Sequence, residues 1–209
     1  MKFSTMVVAV IAVALVGGCS PGEAGSPSPA ELSTTSGSNG PDTSDPPHSG
    51  APKVTNPLPE SVLSGSPCDA LTRQQVEDAL GKNAGHGELD ADFAPGPTCR
   101  WSNLETGAGF SVFFGTKTRQ GLSDFYQNTR PQMKVWREIP SVRGYPAVAF
   151  RFDADPESSC TVAVGIADTY DVSVAVSTPI RRRPDSDPCV PAERLAGELV
   201  GNLEQKAGR

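Results

Sequence analysis

Few residues in this chain are equipped for chemistry, and the cysteines are foremost among them. There are five, Cys19, Cys68, Cys99, Cys160 and Cys189, beside only two histidines, His48 and His86. Cys19 stands apart. In "VALVGGCSPGE" it follows an apolar run and two glycines and precedes a Ser/Pro/Gly tract. Val16, Gly17, Gly18 and Cys19 match a lipobox, in which the thiol takes a diacylglyceryl group and the cysteine becomes the new N-terminus. The small glycines suit a peptidase that must draw an extended backbone into a narrow cleft. Lys2 and the apolar stretch over residues 6–16 read as a secretion signal, since a membrane span needs about 20 residues. At about 0.8 kcal/mol per buried methylene, two fatty (palmitate-like) chains hold a protein stably on a bilayer where one is marginal. Cys19 is therefore the expected lipid anchor.

The four remaining cysteines are an even number in an exported chain, which favours two disulfides out of three possible connectivities. No C-x-x-C pair is present, and the spacings fit neither a zinc ribbon nor a redox motif. Cys68 with Cys99 and Cys160 with Cys189 is the preferred pairing, because each bond would tie a helix start to a nearby strand within one half of the domain. A closed loop of about 30 residues contributes on the order of 3.5 kcal/mol in the chain-entropy model.

No catalytic residue is assigned, and no metal or other cofactor. His48 falls in the Pro-rich tract and His86 in a Gly-rich loop, while G-x-S-x-G and H-E-x-x-H are both absent. Asp153, Asp155 and Glu157 alternate after a strand and offer oxygens to a calcium ion, but Pro156 interrupts the loop. They read as solvated, as do Glu88, Asp90 and Asp92. Arg181, Arg182 and Arg183 are the candidate contact with an anionic lipid or wall polymer, each worth about 1 kcal/mol near such a surface. Their competing reading is a solvated loop balanced by Asp185 and Asp187. From Cys68 onward 19 acidic residues face 16 basic ones, which makes no electrostatic case for nucleic acid.

These residues must be positioned by a domain, expected over residues 67–209. Residues 1–18 read as the signal and residues 19–66 as the lipidated cysteine followed by a disordered tether that holds the domain roughly 40 Å from the bilayer. "CDALTRQQVEDALG" opens the domain with a helix: Thr72 and Gln75 form a capping box, Leu71 and Val76 a hydrophobic staple, and Gly81 a stop. A second helix is expected around "GLSDFYQNT", and a third where Ala192, Leu195, Ala196, Leu199, Val200 and Leu203 follow helical spacing. Six strands alternate with period two: "PTCRWSN", "GFSVFFG" with Phe113 on a helix-covered face, "KVWREI", "AVAFRF", "CTVAVGIA" and "YDVSVAVS". Their short connections imply antiparallel neighbours. The fold class is α+β, about three helices packed on a mostly antiparallel sheet. Trp101, Phe110, Phe113, Phe114, Tyr126, Trp136, Tyr145 and Phe150 are more aromatic side chains than one sheet face needs, which leaves room for a cleft between helix and sheet.

A lipobox, a Ser/Pro/Gly tract, "PCDALTRQQVEDALG", "CRW", "GLSDFY", "IPSVRGYPAVAF" and "DPCVPAERLAGELV" together give a chain that resembles an actinobacterial family of envelope lipoproteins including the mycobacterial LprB and LprC type. The resemblance covers the domain from about Cys68 to the end. It implies a lipid-anchored protein on the extracytoplasmic face of the cell membrane, supports four paired cysteines, and brings no catalytic residues with it. The functional expectation is a binding or interaction module for an envelope protein, lipid or polymer. An apolar-ligand or lipid carrier is the alternative, and a cell-wall hydrolase a more remote one. Cys19→Ala is expected to release the protein into the medium or hold it as precursor; membrane fractionation checks this, and a processed form retained on the membrane counts against it.

Overall fold

The computed structural model describes residues 45–152, 158–178 and 187–209, which lie within one compact unit, Asn39–Arg209. Seven antiparallel strands form one sheet: β1 (Glu88–Asp90), β2 (Thr98–Asn103), β3 (Ala108–Gly115), β4 (Val135–Val142), β5 (Tyr145–Arg151), β6 (Ser159–Ala167) and β7 (Tyr170–Ser177). Their order is β1-β2-β3-β7-β6-β5-β4. Two meanders, β1 to β3 and β4 to β7, thus meet where β3 pairs with β7. The sheet has one strand more than the sequence patterns suggest. β1 is only three residues long and fully exposed, so it has no apolar alternation to betray it.

Helix α1 (Arg73–Leu80) has the expected capping box, with Thr72 Oγ1 accepting from Gln75 N and Gln75 Oε1 from Thr72 N. Helix α3 (Cys189–Lys206) buries Ala192, Leu195, Ala196, Leu199, Val200 and Leu203, as their spacing requires. Asn202 ties the two together, its Nδ2 donating to Ala70 O and to Gln75 Oε1, both at 2.8 Å. The middle helix covers "GLSDFYQNT" after its N-cap Gly121 but is irregular. One turn, α2 (Leu122–Asp124), widens into a π-turn (Phe125–Thr129) and ends in a 3₁₀ turn (Arg130–Gln132) that carries Pro131.

The first face of the sheet buries Val112, Phe114, Val162, Val164, Val172 and Val174 against α3. Period-two alternation sends Val148 and Phe150 of β5 to the second face, where Leu122 and Tyr126 cover them. Phe113 is on that face too, but its ring neighbour is Phe93 of a loop, centroids 5.5 Å apart, rather than a helix. Both preferred disulfides are present: Cys68 to Cys99 on β2, and Cys160 on β6 to Cys189 at the start of α3. Trp101 packs at the first of them. A Cβ on Gly87 would come within 2.6 Å of Cys99 Sγ and 3.0 Å of the Trp101 indole, so only glycine fits between them.

The folded domain begins earlier than composition suggests. Residues 45–66, expected to belong to the tether, lie against the domain: Val54, Leu58, Val62 and Leu63 are all buried in the main core. Val54 N donates to Asp168 Oδ1 and Leu58 N to Ile166 O, both at 2.8 Å. Lys206 Nζ donates to Ser64 O at 2.6 Å and Arg209 Nη2 to Pro57 O at 3.1 Å, so the end of α3 clasps this strap. Proline favours the arrangement, because a chain already restricted when unfolded loses less entropy on ordering. Leu58→Ala is expected to cost about 2–4 kcal/mol of domain stability in chemical denaturation; a change below about 0.5 kcal/mol, the effect of a surface substitution, would return this segment to the tether.

Candidate functional site

A cleft of about 500 Å³ opens between the C-terminal end of α1, the β2–β3 turn, the end of β7 and the first turns of α3. Its floor is apolar, from Phe110, Val176 and Leu195, and its rim carries Asp78, Lys82, Glu105 and Thr106. One buried side chain builds the place. Asn103, at the end of β2, donates from Nδ2 to Leu80 O at 2.9 Å and accepts on Oδ1 from the backbone N–H of Glu105 at 2.9 Å and of Thr106 at 3.3 Å. It therefore satisfies a carbonyl at the end of α1 and holds the β2–β3 turn in the same stroke. Nothing in the sequence patterns singles out Asn103 beyond its type, an Asn closing a strand before a turn.

The rim is charged but largely self-paired. Glu105 Oε2 accepts from Asn83 Nδ2 at 2.8 Å and Asp78 Oδ1 from Gln74 Nε2 at 2.7 Å, whereas Lys82 has no partner among the described residues. The described lining holds neither histidine nor cysteine. What it offers is an apolar floor ringed by hydrogen-bonding groups, with a volume in the range of small-molecule sites.

The chemistry-bearing residues singled out from the sequence do not converge on this cleft. His86 is exposed. His48, expected in the tether, is instead docked on the domain: its backbone N–H donates to Ser123 Oγ at 2.9 Å and its Nε2 lies 2.7 Å from Gln120 Oε1. Glu88, Asp90 and Asp92 are exposed, and Asp90 Oδ1 accepts from Asp92 N. Among the described residues no group of three or more His, Cys, Asp or Glu is placed to hold a metal ion. Cys19, Asp153, Asp155, Glu157, Arg181, Arg182 and Arg183 lie outside the described residues.

A buried acid escaped the sequence reading. Asp171 on β7 is 4% exposed and pairs with Gly115 of β3 and Gly165 of β6, a glycine on either side. Its carboxyl folds over Gly115, where a Cβ would sit 1.9 Å from Oδ1. Burial, with the Asp124 carboxylate adding to it, pushes this acid up to about 8. The signal was an aspartate inside an apolar strand, "YDVSVAVS", facing glycines in "FFG" and "AVGIA". Because the folded value lies above the unfolded one near 3.9, the stability linked to Asp171 is fully present below about pH 4 and is lost as pH rises through about 8. Asp171→Asn removes this dependence, so the variant should gain on the native chain by up to about 1.4 kcal/mol per pH unit between about pH 4 and 8. Thermal unfolding at several pH values measures it, and parallel curves would refute the buried neutral acid.

No match was found among curated proteins or among solved structures. A family model does match, over residues 14–202, and so spans Cys19, the Ser/Pro/Gly tract, the cleft and all four paired cysteines. The chain belongs to the family described as Protein of unknown function (DUF3558).

Proposed function

We propose that this protein is a lipid-anchored envelope lipoprotein of the actinobacterial LprB and LprC type, acting outside the cell membrane as a non-enzymatic binding module through the cleft organised by Asn103. The observation that carries the reading is the cleft itself, an apolar floor with a polar rim held open by a buried side-chain network. Its mixed lining favours a ligand with both apolar and polar parts over the dry groove of a lipid carrier. Two disulfides suit an oxidising compartment. The lipobox at Cys19 supports the anchor, and among the described residues no helix is long and apolar enough to cross the membrane.

Two measurements test this reading. Mass spectrometry of the mature N-terminus should find a diacylglyceryl group on Cys19, and a bare terminus would remove the anchor. A photoreactive amino acid at Thr106, irradiated in intact cells, should give a discrete adduct that is lost when Ala108→Trp fills the cleft. The same adduct in the filled variant, or from a photoreactive group at exposed Ser61, would remove the cleft from the function.

A further inference from the structure

The second face of the sheet carries an aromatic patch that the cleft does not use. Trp136 stacks on Phe150 with centroids 5.9 Å apart and meets Tyr126 edge-on at 5.2 Å. Phe150 in turn contacts Phe152 at 5.6 Å. Phe125, Met133 and Trp136 are only partly buried, and Phe152, at the end of β5, is 62% exposed. The Arg130 guanidinium lies over both the Tyr126 and Trp136 rings, at 5.6 and 5.7 Å, and pairs with Glu138 at 3.9 Å. Burial, and then the Glu138 carboxylate, raise the Tyr126 phenol to about 12, so it stays protonated.

We infer that this patch is a membrane-docking surface that seats the domain on the lipid leaflet carrying its own anchor. The path of the chain selects lipid as the occupant. Ala51 packs on the same aromatic cluster, and a Cβ on Gly50 would lie 3.8 Å from the Tyr126 ring. The part of the described chain nearest Cys19 in sequence therefore runs past this patch before His48 docks on Ser123 and Gln120. Residues 20–44 reach no more than about 90 Å even when fully extended. A patch packed against the anchor-side end of the described chain would meet the leaflet at an effective concentration that reaches the millimolar range for short connections. An affinity too weak to act from solution is enough under that condition.

The composition suits a lipid headgroup region. Phe152 presents an exposed apolar wedge, backed by the partly buried rings of Phe125 and Trp136, and aromatic side chains are favoured between hydrocarbon and water. Lys53, two residues past Ala51, and Lys134, next to Met133, are exposed and have no partner among the described residues. Each adds about 1 kcal/mol near an anionic headgroup.

The inference rests on the anchored reading, and one experiment separates the two. The mature, acylated chain is reconstituted in phosphatidylglycerol/phosphatidylethanolamine vesicles with ordinary or brominated acyl chains, and its tryptophan emission is compared. Trp101 is buried in the first face of the domain. Brominated lipid should therefore quench Trp136 alone and lower total emission by up to about half, one of two indoles. Phe152→Ser should abolish the quenching without shifting the melting temperature, since the side chain is largely exposed. Equal emission from both vesicle types, with the acyl groups verified by mass, overturns docking and leaves the anchor in place. An N-terminus without acyl mass overturns the anchor instead. A dimer that forms without lipid and dissociates on Phe152→Ser would give the patch to a second copy of the chain and overturn the inference.

Discussion

The pairing of β3 with β7 is the joint on which this domain depends. It brings residues about sixty positions apart into register, from Gly109 opposite Ser177 to Gly115 opposite Asp171, and so converts two local meanders into one sheet. Neither disulfide crosses it. Cys68–Cys99 braces the half that holds α1, β1, β2 and β3, and Cys160–Cys189 the half that holds β4 to β7 and α3. The joint is held by backbone hydrogen bonds and by the apolar face that α3 brings to it. A disulfide limits the unfolded ensemble only of the loop it closes, so the cooperativity of the whole sheet must come from burial. Val112, Val172 and Val174, all fully buried along this seam, supply it.

Both unusual polar features of the domain lie at the ends of that seam. At one end, Phe110, Val176 and Ser177 open into the cleft, where the β2–β3 turn and the end of α1 are fastened together through Asn103. At the other, the Asp171 carboxyl lies over Gly115 within the electrostatic reach of Asp124 at the end of α2. Strand ends are where the ladder stops supplying partners, so side chains must satisfy what the backbone leaves open. Asn103 does so with three hydrogen bonds, while Asp171 stays neutral because ionisation would cost desolvation beside a second carboxylate.

The two faces of the sheet have separate duties. The first is sealed by α3, α1 and the strap from Val54 to Leu63, and forms the larger core. The second is covered less completely, by α2 and the π-turn, by Phe93 over Phe113 and by Ala51, leaving Phe152 and part of Trp136 at the surface. The cleft is built from other elements, at the end of the sheet.

Much of this was legible in order of residues alone. Helical spacing marked α3, Thr72 and Gln75 marked the start of α1, period-two alternation marked six strands, and an even count of cysteines marked two disulfides, because each of these signals arises from neighbours within a few residues or from simple arithmetic. What escaped was non-local. β1 has no apolar face of its own and exists only because Arg100, Cys99 and Thr98 offer it an edge. The strap at residues 45–66 reads as Pro-rich tract until Val54, Leu58 and Val62 meet a core made by strands a hundred residues later. Asn103 and Asp171 are ordinary in the chain and acquire their roles from groups distant in sequence: a helix carbonyl for one, two glycines and a second carboxylate for the other. Local periodicity decides which elements form; where their ends meet, and which polar group is left there to be satisfied, is decided only when the sheet closes.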